Sequence, residues 1–266
     1  MDALRLLPEV ERIARAAGEL ILAVYAQPFA VQTKVDRSQV TAADEQAEAF
    51  IVPALLALTP DVPVVAEEAV SHDGAPAVAQ RFWLVDPLDG TREFVLRNGE
   101  FTVNIALVED GVPVLGVVYA PALGQLYAGV LGGIHGGVHG DVMGQGAWLE
   151  DAQGRRAIAC RQVPAQGLTM VVSRAHGDGP ALQAWMAQRQ IIQRVEAGSA
   201  LKFGLLAAGQ ADIYPRFGRT MEWDTAAGHA LLLAAGGQVL DMQGQVLRYG
   251  KPGFDNPDFV AVTSVA

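Results

Sequence analysis

Apolar residues follow two periodicities along this chain, and together they predict a mixture of helices and strands. Near the N-terminus they recur at helical spacing. This predicts an amphipathic helix that starts near Pro8 and packs through Val10, Ile13, Ala14, Ala17, Ile21 and Val24. A second helix is predicted to begin at Thr41, a suitable N-cap residue, with Asp44 and Glu45 in its first turn.

Strands predominate up to about residue 150, and strands alternate with helices beyond it. Short apolar runs predict the strands of the first half, at residues 62–66, 82–85 and 101–121. A polar segment near residues 150–161 marks the change, and strand-like runs such as TMVVSR and ADIYPR then alternate with helical runs. We therefore predict an α/β protein with a first subdomain at residues 1–153 and a second at 154–266.

Length and charge limit the classes of function. The chain has 266 residues and 51% hydrophobic content, which is enough for a large core. Its formal net charge of −10 argues against binding to a nucleic-acid polymer, because such binding depends on basic patches. A small phosphorylated ligand remains compatible if the site supplies its own cations. The single cysteine, Cys160, excludes an internal disulfide and is compatible with a cytoplasmic location.

No membrane-spanning segment is predicted. The N-terminus lacks the basic segment and apolar core of a signal peptide. Residues 111–140 carry no acidic residue, lysine or arginine, but prolines and glycines divide them into pieces that predict strands and turns. His135 and His139 lie there among glycines, where we expect no metal site. Peripheral contact with the inner membrane stays open, as does the choice between monomer and homodimer.

The candidate chemistry begins at WLVDPLDGTRE, residues 83–93. Asp86 and Asp89 follow a predicted strand, and Pro87 stiffens the turn between them. Two carboxylates held close together repel each other, and a hard divalent cation is the usual counter-charge. Gly90 and Thr91 offer backbone N–H groups at a predicted helix start, where an anion is favoured. The alternative is a turn without chemistry, since Asp, Pro and Gly are all turn formers.

Acids at two further element ends shift the balance toward a metal site. Glu67 and Glu68 follow the predicted strand at 62–66, and Asp224 opens a helical run in EWDTAAGHALLLAAGG. Acids at three separate element ends form a pattern that stability alone would not favour. For Glu68, a solvated surface acid is the simpler interpretation.

Several motifs taken together resemble a known phosphatase superfamily. VTAADE, the Glu67–Glu68 pair, DPLDGT and WDTAAG are similar to the lithium-sensitive, magnesium-dependent phosphatases that include inositol monophosphatases and bisphosphate nucleotidases. DGTREFVLRNGEFTVNIAL and GSALKFGLLAAGQADIYPRFG resemble the CysQ-type 3'(2'),5'-bisphosphate nucleotidases. The resemblance implies an α-β-α-β-α layered fold with a large, mainly antiparallel sheet in the first half, a smaller α/β second half, and the site between them.

The resemblance also implies a metal centre of two or three Mg²⁺ ions. Glu67, Asp86 and the Leu88 carbonyl would hold the first ion, and Asp86 would bridge to a second held by Asp89 and Asp224. Glu67, Thr91 and Asp44 would be the catalytic residues that orient and deprotonate a water. The residues expected to contact substrate are Glu67, Leu88, Asp89, Gly90, Thr91, Gly198, Ser199, Lys202, Arg216 and Asp224.

The expected substrate is 3'-phosphoadenosine 5'-phosphate, together with its sulfated form, hydrolysed in sulfur assimilation. Lys202 or Arg216 would bind the second phosphate, although a base of this kind, taken alone, is more often a solvated surface residue. Three alternatives stay open. They are a phosphatase for inositol 1-phosphate or a sugar or histidinol phosphate, a binding protein without turnover, and a purely structural cluster of turns.

Overall fold

The structure is a computed structural model that describes residues 2–33, 39–132, 146–174 and 179–263. His135 and His139 therefore lie outside the described residues. The described helices are α1 (Ala3–Tyr25), α2 (Ala42–Leu58), α3 (Glu67–Asp73), α4 (Thr91–Val95), α5 (Pro180–Met186), α6 (Leu201–Ala207) and α7 (Glu222–Ala234). Two 3₁₀ turns lie at Pro121–Leu123 and Pro252–Phe254.

A seven-stranded sheet forms the first half. In spatial order it contains β3 (Val64–Ala66), β4 (Arg81–Asp89), β5 (Thr102–Glu109), β6 (Val112–Ala120), β7 (Gln125–Val130), β8 (Gly146–Asp151) and β9 (Gly154–Ile158). Within this sheet β3 and β4 pair in parallel, and the other neighbouring strands pair antiparallel. The predicted strands within residues 101–121 are confirmed as β5 and β6, joined at Asp110 and Gly111.

A five-stranded sheet forms the second half. In spatial order it contains β11 (Ile191–Ala197), β10 (Leu168–Ser173), β12 (Ile213–Arg216), β16 (Phe259–Val262) and β14 (Gln238–Asp241). Short pairs complete the described strands: β1 (Gln32–Thr33) with β2 (Gln39–Val40), and β13 (Thr220–Met221) with β15 (Asp255–Asn256). The division after residue 153 stays a prediction; β9, just beyond it, still pairs with the first sheet.

The elements stack in five layers, and the predicted α-β-α-β-α fold is confirmed. Helices α1 and α2 cover one face of the seven-stranded sheet with a core that includes Ile13, Ile51 and Leu115. Helices α6 and α7 lie between the two sheets, in a second core around Phe203 and Leu231. Helix α5 covers the outer face of the five-stranded sheet. In the part of the chain that the structure describes, no helix is both long and apolar enough to cross a bilayer.

Helix α1 starts earlier than its apolar pattern predicts. It begins at Ala3 rather than near Pro8, because the Asp2 side chain accepts a hydrogen bond from the Leu4 N–H and caps the helix there. Pro8 lies inside the helix, and Leu6 beside it is fully buried. Burial of the first turn therefore offsets the hydrogen bond that the proline ring removes.

Helix α7 contacts the seven-stranded sheet through backbone atoms. Gly116 of β6 and Gly129 of β7 are cross-strand partners beneath it. A Cβ built on Gly116 would lie 2.2 Å from the Ala227 carbonyl oxygen, and one on Gly129 would lie 2.5 Å from the Leu231 Cα. Because glycine has no Cβ, the helix axis approaches the sheet more closely than side chains would allow.

A buried histidine of α7 links the stability of this layer to pH. The Nδ1 of His229 lies 3.0 Å from the Tyr249 hydroxyl, and its Nε2 has no hydrogen-bond partner among the described residues. Burial lowers the pKa of His229 to about 3. The fold holds the His229 ring in its neutral form. The stability that this residue contributes is therefore complete above the unfolded-state pKa near 6.5 and is lost as the pH falls toward 3.

We therefore expect acid sensitivity that depends on His229. Between pH 6 and 4, the unfolding free energy of the wild type should fall relative to that of His229→Gln by about 1.4 kcal/mol per pH unit. Denaturant titrations at several pH values measure this difference. The exposed His72 of α3 provides the control, because His72→Gln should retain the wild-type slope. Parallel curves for the wild type and His229→Gln would contradict the expectation.

Candidate active site

An irregularity in β4 places Asp86 and Asp89 on the same face of the first sheet. Asp86 pairs with Asn104 of β5, but Asp89 pairs with Thr102, so β4 carries one extra residue between the two pairs. Pro87 has no N–H to continue the ladder there. In a regular strand, residues three apart face opposite sides. The extra residue therefore turns both carboxylates toward α7 and the second half.

Glu67 reaches the site from a helix that the sequence pattern did not predict. It is the first residue of α3, whose residues 71–73 are polar and exposed, so the segment lacks an apolar stripe. Glu48 of α2 caps this helix, since its two carboxylate oxygens accept the N–H groups of Glu68 and Ala69 at 2.8 and 2.7 Å. Glu68 is buried rather than solvated, which corrects the simpler interpretation of that residue.

Asp224 is the third residue of α7, and a buried network holds the start of that helix. Its Oδ2 accepts the Met221 N–H at 2.8 Å. Two residues earlier, the fully buried Glu222 accepts the Gly250 N–H at 2.7 Å and pairs with the Lys251 ammonium at 2.6 Å. The carboxylate of Glu222 is thus neutralised, and the first turn of α7 is fixed to the segment before β15.

Three acids that are far apart in sequence converge at this point. Carboxylate oxygens of Glu67, Asp86 and Asp224 all lie within 4.8 Å of one another. Burial first, and then the neighbouring charge of Glu67, raises the pKa of Asp86 well above its usual range. Burial and the charge of Asp89 raise the pKa of Asp224 to about 8. Asp89 lies outside the three-residue group, but its charge acts on both of these carboxyls.

The donor set is the one that a hard divalent cation prefers. Burial first, and then the mutual repulsion of the clustered carboxylates, raises the pKa values of Asp86 and Asp224. A cation with oxygen ligands removes this repulsion and needs few protein groups, because it retains water and binds substrate oxygens. The residues present therefore suit a metal ion.

Thr91 and Asp44 lie beside the acids as a hydrogen-bonded pair. The Thr91 hydroxyl is 3.2 Å from Asp44 Oδ1 and 3.4 Å from the Leu88 carbonyl oxygen. The predicted cap of α2 is confirmed, because Thr41 donates to Asp44 Oδ2 through both its N–H and its hydroxyl, each at 2.8 Å. Burial raises the pKa of Asp44. Gly90, with φ of 89°, precedes α4, a helix of five residues.

Polar groups of residues 198–202 form hydrogen bonds with other residues of this chain. The Gly198 N–H donates to Glu100 Oε2 at 2.8 Å, and the Ser199 hydroxyl donates to Asp89 Oδ2 at 2.7 Å. The Lys202 ammonium is buried and donates to the Ser199 carbonyl. Burial lowers the pKa of Lys202 to about 8. A direct substrate contact by any of these residues stays a prediction.

Arg216 and Arg174 differ in the contacts that their guanidinium groups make with other residues of the protein. Arg216 is half-buried near Asp224, where its charge partly opposes the rise in the pKa of that carboxyl. Its Nε is buried and has no hydrogen-bond partner among the described residues. Arg174 instead forms a two-bond pair with Glu100, at 2.7 and 2.8 Å. Arg216 is therefore the base with capacity left for an anion.

Comparison with known proteins places this geometry in a family. Residues 5–264 match the model of the inositol monophosphatase family. The chain belongs to the inositol monophosphatase family. The resemblance seen in the sequence is confirmed, and this family member is an enzyme of the phosphatase class.

Individual relatives show which members of the family this chain resembles. It is 46% identical over 257 residues to the 3'(2'),5'-bisphosphate nucleotidase CysQ of Escherichia coli O157:H7, covering 96% of this chain and 98% of that protein. Identity to the CysQ of Salmonella typhimurium is 47% with the same coverage. A crystal structure of CysQ from Bacteroides thetaiotaomicron has a TM-score of 0.76 and 35% identity, with 96% of this chain and 95% of that chain covered.

Several residues that support the site were missed by sequence reasoning. They are Glu48, Glu100, Thr102, Asn104 and Glu222. For two of them a signal exists, because Thr102 and Asn104 are the polar positions that alternate with Val103 and Ile105 in FTVNIAL. That alternation predicts a polar stripe on one face of the strand. The other three act on backbone groups far away in sequence, and no local pattern marks them.

Proposed function

We propose that this family member is a Mg²⁺-dependent phosphomonoesterase that converts 3'-phosphoadenosine 5'-phosphate to AMP and inorganic phosphate. The convergence of Glu67, Asp86 and Asp224 within 4.8 Å carries the proposal, since it supplies the oxygen donors for a metal-assisted hydrolysis. Relatives that carry the name 3'(2'),5'-bisphosphate nucleotidase support the substrate. Action on the sulfated nucleotide, a role in sulfur assimilation and a cytoplasmic location belong to the same proposal.

The metal ligands would be those that the resemblance implies. Glu67, Asp86 and the Leu88 carbonyl would hold one Mg²⁺, and Asp89 and Asp224 would hold a second with Asp86 shared between them. When bound, such ions supply Lewis-acid polarisation of the phosphoryl group, a lowered pKa of water and charge stabilisation at the leaving oxygen. Asp89 belongs in this set because its charge already acts on Asp86 and Asp224.

Thr91, Asp44 and Glu67 would prepare the attacking water. The Thr91 hydroxyl donates its hydrogen toward Asp44 Oδ1, 3.2 Å away, so its oxygen lone pairs remain available to accept a hydrogen bond from water. Asp44 is fixed by two bonds from Thr41, which keeps the acceptor in place. Glu67, half-buried at the start of α3, would take the proton of that water. In-line attack then breaks the P–O bond.

A phosphatase panel tests the proposal. Phosphate release should require Mg²⁺ and should be fastest with 3'-phosphoadenosine 5'-phosphate, compared with 3'-AMP, inositol 1-phosphate and histidinol phosphate. A preference for inositol 1-phosphate would favour the alternative substrate class. No release from any of these compounds, at any Mg²⁺ concentration, would favour a binding protein without turnover.

Arg216 provides the specificity test. Its positive charge acts on both Asp224 and Lys202, and this position suits the second phosphate of the nucleotide. Arg216→Ala should lower kcat/KM for the bisphosphate by about ten- to a hundredfold, the size of a lost charge-assisted hydrogen bond, and should change that for 3'-AMP much less. Equal losses on both substrates would contradict this role.

The matched control for Arg216→Ala is Arg219→Ala. Arg219 lies three residues away, is largely exposed and pairs with Asp255 at 2.9 Å. Removing its charge should leave the ratio of the two kcat/KM values unchanged. A similar change of ratio in both variants would indicate a general effect of surface charge rather than a contact at Arg216.

A further inference from the structure

Asp89 receives two hydrogen bonds at one oxygen, and they come from the two halves of the molecule. Ser199, in the loop between β11 and α6, donates its hydroxyl to Asp89 Oδ2 at 2.7 Å. Asn104 of β5 donates its side-chain Nδ2 to the same oxygen at 3.2 Å. Among the described residues, Oδ1 of Asp89 receives no such bond. The carboxylate is thus oriented with one oxygen held and one oxygen available.

Thr102 connects these two donors. Its hydroxyl donates its single hydrogen to Asn104 Oδ1 at 2.9 Å, and its oxygen lies against the Ser199 hydroxyl oxygen. Thr102 is fully buried, and Asn104 and Ser199 are nearly so. The contact with Oδ1 fixes which way the Asn104 amide points, so its Nδ2 faces Asp89. Asp89, Ser199, Thr102 and Asn104 therefore form a ring of polar contacts held by three hydrogen bonds, in which Ser199, Thr102 and Asn104 are buried and Asp89 is half-buried.

The backbone around Ser199 is held in the position that this ring requires. Ser199 has φ of 52°, in the left-handed region that non-glycine residues seldom adopt. The Lys202 ammonium donates to its carbonyl, and the preceding Gly198 packs without room for a Cβ, which would lie 2.7 Å from the Glu93 Cγ. A strained residue fixed from several sides is typical of a functional constraint.

We infer that Ser199, Thr102 and Asn104 are positioning residues that orient Asp89 for a divalent cation and make cation binding depend on the contact between the two halves. The inference rests on the proposed role of Asp89 as a metal ligand. Residues that hydrogen-bond a ligating carboxylate set its direction and basicity, and their loss weakens metal affinity. Because Ser199 and β5 belong to different layers, the cation and this contact stabilise each other.

Calorimetric titration of Mg²⁺ into the metal-free full-length protein, without nucleotide, tests the inference. Thr102→Val replaces the hydroxyl with a methyl group. The hydroxyl that is lost donates to Asn104 and not to Asp89. The substitution should weaken Mg²⁺ binding about two- to tenfold, the range for one neutral hydrogen bond. Ser199→Ala should weaken binding about tenfold or more, as expected for a residue that bonds a metal ligand directly. Thr102→Ser, which keeps the hydroxyl, should restore the wild-type affinity.

A buried threonine of the other sheet provides the matched control. Thr169 of β10 accepts a hydrogen bond from Arg161 at 3.0 Å, and Thr169→Val should leave Mg²⁺ affinity unchanged. Unfolding measured in chelator checks that each variant folds. If Thr102→Val does not fold, the Mg²⁺ affinity of Ser199→Ala tests the positioning role. Combining Ser199→Ala with Thr102→Val should weaken binding more than Ser199→Ala alone, because Thr102 still reaches Asp89 through Asn104 when the Ser199 hydroxyl is lost.

Two negative results have different meanings. If the wild type binds Mg²⁺ but Thr102→Val and Ser199→Ala bind it equally well, the positioning role is wrong and the proposed metal site stands. If Ser199→Ala weakens the binding of the nucleotide and leaves the Mg²⁺ affinity unchanged, Ser199 contacts substrate and does not position Asp89. If the wild type binds no Mg²⁺, the proposed function and this inference are both wrong.

Discussion

Asp224→Asn should lower Mg²⁺-dependent phosphate release by about a thousandfold or more. The asparagine keeps the shape of the side chain and can still accept the Met221 N–H, which lies 2.8 Å from Asp224 Oδ2. It removes one of the three charges that converge within 4.8 Å. Metal ions stabilise a transition state by several kcal/mol, and about 1.4 kcal/mol corresponds to a factor of ten in rate. Initial rates at saturating Mg²⁺ measure the loss.

The stability of the metal-free protein provides an independent check on the same variant. In chelator, Asp224→Asn should unfold at a higher temperature than the wild type, because burial and then repulsion between the acids raise the pKa values of Asp86 and Asp224, and a neutral amide at 224 bears neither cost. Asp61→Asn, at an exposed acid of the first half, should change neither rate nor stability. If Asp224→Asn remains fully active, the acids do not form the catalytic centre.

Gly116→Ala should destabilise the protein by about 3 kcal/mol, the upper range for overpacking a core. The new Cβ would lie 2.2 Å from the Ala227 carbonyl oxygen, so α7 and β6 must move apart by about 1 Å to restore an ordinary contact. Ala227 is one turn of α7 from Asp224, and we therefore expect weaker Mg²⁺ binding as well. Denaturant unfolding in chelator and Mg²⁺ calorimetry measure the two effects.

A second glycine separates the effect of this contact from a general effect of alanine. Gly179, just before α5, has no described residue within 4 Å of a built Cβ and has ordinary backbone angles. Gly179→Ala should therefore change stability by no more than about 0.5 kcal/mol, as is usual for surface substitutions. Equal stability of Gly116→Ala and the wild type would show that α7 can shift without loss.

The acids of the candidate site could be predicted from sequence because the chemistry is concentrated in short strings. Asp86 and Asp89 stand within one turn-like segment, and the cap formed by Thr41 and Asp44 follows from local hydrogen bonding alone. The approach of Asp224 to Glu67 and Asp86 is a long-range result. It became predictable only through the resemblance, since no periodicity specifies how two sheets pack around one helix.

The remaining features depend on tertiary contacts that leave weak local signals. Helix α3 has no apolar stripe and is capped by Glu48, a residue of another helix. The N–H of Gly198, in a loop whose pattern suggests an anion site, is occupied by the carboxylate of Glu100. The extra residue in β4 is visible only once its pairing with β5 is known. In each case the partner is chosen by packing, which local propensity does not encode.

The close packing of α7 against the seven-stranded sheet bears on which cation the proposed site would prefer. Gly116 and Gly129 bring the helix backbone against the sheet, and a Cβ on Gly228 would lie 2.3 Å from the ring of Phe203 in the neighbouring α6. The helix that delivers Asp224 therefore packs closely against both the sheet and α6, with little free space on these two sides. Mg²⁺ requires oxygen distances of about 2.0–2.1 Å, whereas Ca²⁺ requires about 2.3–2.6 Å and more ligands. For the proposed metal site, we therefore expect this close packing to favour the smaller of the two cations.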